Sequence, residues 1–190
     1  AGYDDSAIQQ AKTDMKAYAD DTVYSLSTVT NTTAQLAANG VPNYEALVEA
    51  AGNLNAVAGG TDDTFSSVSM VLTQTAGAGK LTTENWNQLA NAIPGASGQL
   101  QQALLDAGAY TGNFRDAMEN GEITAGEFND AIMTLGFSDA AQEAATSTDT
   151  FEGATGQLQA AFEDTFMQIW DAMNQNGGVT SAIRSEERRV

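Results

Sequence analysis

Apolar side chains recur along this chain in steps of three and four, and glycine or proline punctuates them at short intervals. No stretch alternates apolar and polar at period two, so the pattern predicts helices and no strands. From Tyr3 to about Asn39, one face carries Ile8, Ala11, Met15 and Tyr18, then Val23, Leu26, Val29 and Leu36. Its serine- and threonine-rich middle favours helix poorly. The expectation is either one long helix with a weak centre or two helices broken near Asp20-Asp21. Asn39-Gly40-Val41-Pro42-Asn43 is a stop and restart, and a helix over about 43–58 runs to Gly59-Gly60. Thr61-Asp62-Asp63 caps another, with Phe65, Val68, Met70, Val71 and Leu72 inside it, ending at Gly77-Ala78-Gly79. Pro94-Gly95-Ala96-Ser97-Gly98 reads as a turn, after which Leu100, Leu104 and Leu105 mark a short helix closed by Gly108. Thr111 to Asn120, with Phe114 and Met118, forms another short helix, and a polar, alanine-rich stretch follows at 139–150. The strongest amphipathic run comes last, with Leu158, Phe162, Phe166, Ile169, Trp170 and Met173 on one face before Gly177-Gly178.

Within this pattern one phrase occurs twice. Residues 79–87, Gly-Lys-Leu-Thr-Thr-Glu-Asn-Trp-Asn, return 42 positions later as residues 121–129, Gly-Glu-Ile-Thr-Ala-Gly-Glu-Phe-Asn. Each copy is a glycine stop followed by a fresh helix start. Leu81 and Ile123 precede the threonine N-caps Thr82 and Thr124, and Trp86 and Phe128 take the fourth helical position, the geometry of a hydrophobic staple. Glu127 closes a capping box with Thr124, whereas Asn85 in the first copy is a weaker fit. The downstream stripes match: Trp86, Leu89, Ala90 and Ile93, then Phe128, Ala131, Ile132 and Leu135. The middle of the chain is therefore built of helix-loop-helix units.

Composition narrows the function classes. Against 7 Lys and Arg stand 25 Asp and Glu, for a net charge of −18. So acidic a body repels phosphate backbones and anionic bilayers alike, which argues against nucleic acid as a partner. There is no histidine and no cysteine, which removes the commonest general base, the commonest zinc ligand and any disulfide. No apolar run approaches the length of a membrane span. The chain opens Ala1-Gly2-Tyr3-Asp4-Asp5 without a starting methionine, as expected of a piece of a longer protein. Its end, Arg184 to Val190, differs in character from the rest and reads as a linker into the parent chain or an appended tail.

Three motifs have chemical readings that fail on inspection. Ala76 to Thr82 looks like a phosphate loop, but Gln74 stands where the first glycine belongs and Leu81 follows the lysine. Asp116 to Glu127 imitates a calcium loop, yet Met118 at the third position offers no oxygen and Glu127 serves the capping box. Paired acids (Asp4-Asp5, Asp20-Asp21, Asp62-Asp63, Glu163-Asp164) are too common to single one out as catalytic, and most suit helix starts. No catalytic, cofactor-binding or metal-ligating residue is therefore assigned. The Leu158–Met173 face has two readings, a stripe packed on the preceding helices or a docking face for another part of the parent chain or another subunit.

Leu72 to Thr82, then Trp86-Asn87-Gln88-Leu89 and Ile93-Pro94-Gly95, resemble the tape measure domain of long-tailed bacteriophages. So do Phe114 to Thr124 with Glu127-Phe128, while Phe151-Glu152-Gly153-Ala154 and Leu158 look like the family's exit into its helical remainder. The resemblance is good over about 70–165 and looser over 30–70. It implies a structural virion protein threaded along the lumen of the tail tube, made in the bacterial cytoplasm, whose length sets how far the tube polymerises. It also implies the tail tube protein, tail-tip proteins and tail assembly chaperones as partners, and no enzyme activity. Two other classes stay open: a peptidoglycan-cleaving or other tail-associated enzyme domain, and a helical protein-binding module.

The expected architecture is all-α, a compact array of short capped helices between longer amphipathic helices at both ends. It divides into a helix or helix pair over 1–40, a tape-measure-like helical domain over 41–150, an amphipathic helix over 151–178 with a capacity for self-association, and a tail over 179–190.

Overall fold

The computed structural model describes residues 5–146. Among them the chain forms nine helices and no strand: α1 (Asp5–Asp21), α2 (Leu26–Ala38), α3 (Tyr44–Val57), α4 (Asp62–Ala78), α5 (Thr83–Ala92), α6 (Pro94–Asp106), α7 (Phe114–Asn120), α8 (Ala125–Gly136) and α9 (Asp139–Thr146). The amphipathic face from Leu158 to Met173 lies outside the described residues.

Local chemistry sets most of the boundaries. Ser25 accepts a hydrogen bond from the Thr28 N–H and starts α2, so the N-terminal stretch is two helices, broken just after Asp21. Thr61 starts α4 with a capping box closed by the Thr64 hydroxyl, an unusual partner for that role. Asn113 caps α7 by accepting from the Arg115 and Asp116 N–H groups. Asn43 takes a left-handed conformation at φ 52° between Pro42 and α3, which asparagine tolerates better than most residues.

Two stretches depart from the sequence expectation. Pro94 to Gly98 is no turn: α6 begins at Pro94, directly after Ile93, which ends α5 and starts α6 at once. Proline suits the first helical position because its missing N–H is one the helix would leave unpaired. Burial of Ala96 and Leu100 then holds the glycine-rich turn helical. The alanine-rich stretch after Gly136 also contains a helix, α9, held by burial of Ala141 and Ala145.

At the centre lies α3. It packs against α1, α2, α4, α6, α8 and α9, and a single buried cluster runs from Ala11 to Ile132. The α3–α8 crossing is close because Gly136 has no side chain: a Cβ there would sit 2.1 Å from the Ala50 carbonyl oxygen. Asn53 secures the same crossing by donating to the Gly136 carbonyl at 3.0 Å.

Polar groups inside this body are paired almost throughout. The Tyr24 hydroxyl donates to the Gly52 carbonyl and accepts from Asn55 Nδ2 at 2.9 Å. Asn55 also donates to the Thr61 carbonyl at 3.0 Å and accepts from the Thr64 hydroxyl at 2.7 Å. One side chain thus binds α3 to the start of α4. Asp62 joins α4 to α2, accepting from the Ser25 N–H at 3.0 Å and the Thr28 hydroxyl at 2.8 Å. Farther along the same seam the Thr32 hydroxyl donates to Ser69 at 2.9 Å. The threonines that make α2 a poor helix former therefore hold it to its neighbour.

Candidate functional site

The two copies of the repeated phrase meet. After α4, Gly79 takes the left-handed conformation at φ 72°, and after α7, Gly121 does the same at φ 69°. Each glycine turns the chain out of its helix, and three residues later a threonine starts the next one. The segments between run antiparallel, with Lys80 opposite Thr124. The Leu81 N–H donates to the Ile123 carbonyl at 2.9 Å, and the Ala125 N–H donates to the Gly79 carbonyl at 3.1 Å. Lys80 drapes over Gly121, its Cδ and Nζ each 3.1 Å from where a Cβ would stand.

Around this bridge the side chains split by polarity. Leu81, Ile123 and Phe128 are fully buried beneath it. Trp86 is half-buried and meets Phe114 edge-on, with ring centroids 4.7 Å apart, while Tyr110 meets Phe114 at a tilt of 54° with centroids 5.0 Å apart. Trp86 thereby ties α5 to α7, joining the two helix-loop-helix units a second time.

The two threonine starts differ. Thr124 accepts from the Glu127 N–H at 3.2 Å, and Glu127 Oε2 accepts from the Thr124 N–H at 2.9 Å, so the box is closed. Thr82 accepts from the Asn85 N–H at 3.2 Å, but the Asn85 side chain turns inward and donates to the Thr75 hydroxyl at 3.3 Å. Asn85 thus spends its amide on α4 instead of the cap. The Glu127 carboxylate is committed to Thr124, Asp116 lies within α7, and no group of three or more His, Cys, Asp or Glu among the described residues could hold a metal.

A second feature is a cleft of about 230 Å³ between α1, α2 and α3. Met15, Val29 and Val48 line it together with the carboxylates of Asp14, Glu45 and Glu49. Burial pushes the Glu49 carboxyl up; burial and then the Asp14 charge push Glu45 up. Tyr18, also in the cleft, donates toward the Glu49 carbonyl and Asn53 Oδ1, and burial raises its phenol well above the ordinary range. These groups carry no nucleophile–base pairing.

Sequence reasoning missed the residues that stitch helices together: Asn53, Asn55, Asp62 and Gly136. Their only linear signal was Asp62 in the Thr61-Asp62-Asp63 helix start; the asparagines sit among ordinary helical residues and show their partners only in space.

The sequence profile of the tape measure protein family matches residues 1–171. Over 162 residues the chain is 28% identical to a tape measure protein of Lactococcus phage F4-1, a match covering 84% of this chain and 42% of that relative. The chain therefore spans about two-fifths of the length of the curated relative it matches. No solved structure matches it.

Proposed function

The chain belongs to the tape measure protein family, and from that premise we propose that it is a structural segment of a phage tail protein whose parent chain sets tail length. The observation that carries the reading is the family match across residues 1–171, nearly the whole sequence. In this reading the parent lies along the lumen of the tail tube. Its partners are the tube protein, tail-tip proteins and the assembly chaperones that coat it beforehand. No catalysis is assigned, in keeping with a chain that lacks histidine and cysteine.

Extended helix measures about 1.5 Å per residue. A body built around one core, with its loops tied to each other, measures far less per residue. We therefore read residues 5–146 as a folded station on the ruler and not as part of its measuring rod.

The test is an in-frame deletion of the codons for 5–146 in the parent phage, with tail lengths read by electron microscopy. If these residues count as extended helix, tails shorten by roughly 210 Å. If they count as a folded body, the loss is about 40 Å, the diameter of a globule of roughly 140 residues. Tails of unchanged length and number overturn the tail-length reading for this segment.

A further inference from the structure

Three places in this chain set asparagine directly before glycine: Asn39-Gly40, Asn120-Gly121 and Asn176-Gly177. The third lies outside the described residues. The pairing has a chemistry of its own. Glycine carries no Cβ to keep its main-chain nitrogen away from the side-chain carbonyl carbon of the residue before it. Both described pairs close a helix, and both glycines are left-handed at φ 69°.

The two sites are held differently. Asn39 Nδ2 donates to the Gln35 carbonyl at 2.8 Å, which ties the side chain back along α2. That helix has 13 residues, and Leu36, Ala37 and Val41 are buried about its end. Nothing stands within 4 Å of where a Cβ would be on Gly40. Asn120, by contrast, is exposed, and its amide has no hydrogen-bond partner among the described residues. It ends α7, a helix of seven residues. So short a helix is not stable by itself, and its last turn opens locally. Across Gly121 lies Lys80, its Nζ 3.1 Å from where a Cβ would stand. Of the neighbouring acids, Glu119 is engaged by Arg115 at 3.4 Å. Glu122 is exposed, so water screens it.

We infer that Asn120-Gly121 is a site of self-modification, where the folded chain converts its own asparagine to isoaspartate beneath the Lys80 ammonium. When the last turn of α7 opens, the Gly121 N–H leaves the Met118 carbonyl, which it meets at 3.1 Å, and loses its proton to solvent. The freed nitrogen attacks Asn120 Cγ. An N–Cγ bond forms, the Cγ–Nδ2 bond breaks, and Nδ2 departs as ammonia with a proton taken from water. The cyclic imide left behind is opened by water at either ring carbonyl, giving aspartate or isoaspartate. A cation beside the attacking nitrogen favours its anionic form, and Lys80 supplies one. Isoaspartate threads the former Cβ into the main chain, so one extra backbone atom then separates α7 from Gly121. Ile123 lies two residues on, and its carbonyl accepts from the Leu81 N–H at 2.9 Å, so the bridge between the loops is what the change displaces. The inference is independent of the tail assignment, since it concerns the chemistry of the chain alone.

The test incubates the purified 190-residue chain in mildly alkaline buffer, folded and in parallel unfolded in urea. Chymotryptic peptide mapping by mass spectrometry follows each site, since cleavage after Phe114 and Phe128 sets Asn120 apart from the other two pairs. The readout is the mass shift of –NH2 exchanged for –OH, with electron-transfer fragmentation telling isoaspartate from aspartate. In urea, Asn39 and Asn120 should react alike. In the folded chain Asn120 should react about fivefold faster than Asn39, the worth of the additional hydrogen bond that Asn39 must break. Lys80→Met, which keeps the stem and removes the charge, should slow Asn120 about threefold, the size of an exposed charge–charge effect, and leave Asn39 unchanged. Lys80→Arg should restore the rate. Circular dichroism of each variant checks that the fold is kept. A folded-state ratio no larger than the ratio in urea overturns the inference. So does an Asn120 that stays intact in the folded chain while the unfolded chain converts. A rate indifferent to Lys80→Met overturns the part given to the ammonium.

Discussion

The Leu81 N–H donates to the Ile123 carbonyl at 2.9 Å, joining two loops whose sequences are variants of one phrase. Both residues are fully buried, so the bond is shielded from water on its side-chain face. Each loop begins with a left-handed glycine and ends with a threonine that starts a helix. Four helices are thereby set from a bridge two residues wide, and the cap chemistry that stops and starts them also positions the bridge.

Gly136 is the position least able to accept a side chain. A methyl there would lie 2.1 Å from the Ala50 carbonyl oxygen, and main chain cannot yield as a side-chain tip can. Gly136→Ala should destabilise the fold by about 2–4 kcal/mol by prying α3 from α8. Gly98→Ala, in the middle of α6 with open space around it, should stabilise by about 0.5–1 kcal/mol. Urea denaturation of the pair measures both, and equal effects would contradict the close-crossing argument.

Asn55 binds three partners from two elements, and leucine in its place leaves the Thr61 carbonyl and the Tyr24 and Thr64 hydroxyls short of a partner. Asn55→Leu should cost about 3 kcal/mol, and Tyr24→Phe about 1–2 kcal/mol. The double variant should cost less than the two added together, because the Asn55–Tyr24 bond is lost once. Additive losses in a double-mutant cycle would show that the two residues do not share a network.

The Thr30 hydroxyl is buried with no hydrogen-bond partner among the described residues. Valine has nearly the same shape and no polar atom to desolvate. Thr30→Val should therefore stabilise the protein by about 1 kcal/mol. Thr32→Val is the contrasting case, because that hydroxyl lies within hydrogen-bond distance of both the Thr28 carbonyl and the Ser69 hydroxyl, and it should destabilise. Thermal melts of the two variants should move in opposite directions.

Glu45 and Glu49 titrate above the usual carboxylate range in the folded chain, through burial in both cases and the nearby Asp14 charge for Glu45. A raised folded value means the native state binds more protons than the unfolded one, so stability falls as pH rises through and above that range. The penalty is fully present at neutral pH and is relieved as the two groups protonate in mild acid. Glu45→Gln and Glu49→Gln should each raise the melting temperature at pH 7 and flatten its dependence between about pH 4 and 7. An undiminished slope in the double variant would trace the effect to the general repulsion of the other acids.

The glycine–threonine stops and starts were legible because each demands a particular residue: glycine where φ is positive, a hydroxyl where a helix leaves N–H groups unpaired. The start of α6 was not, because Pro94-Gly95-Ala96-Ser97-Gly98 is as good a turn as a helix until Ala96 and Leu100 find the core. The threonines of α2 disclosed only half of their part, since the helix break near Asp20-Asp21 was among the expectations and is what the structure shows. By propensity they mark a weak centre, and only the proximity of Asp62 and Ser69 makes them a seam. The pairing of the two repeated loops could not be read either, since similarity of two segments does not reveal that they touch.

The bridge between the loops has a consequence for how such a protein can drift. Its two hydrogen bonds use only main-chain atoms, so Lys80, Glu122 and their counterparts in a distant cousin are free to become almost anything. The count of residues from Gly79 to Thr82, and from Gly121 to Thr124, has no such freedom: one insertion would put every following donor out of step with its acceptor. Descent in this protein should therefore be written in its rhythm more than in its spelling, and a relative that shares little identity is expected to keep the two glycine-to-threonine spacings.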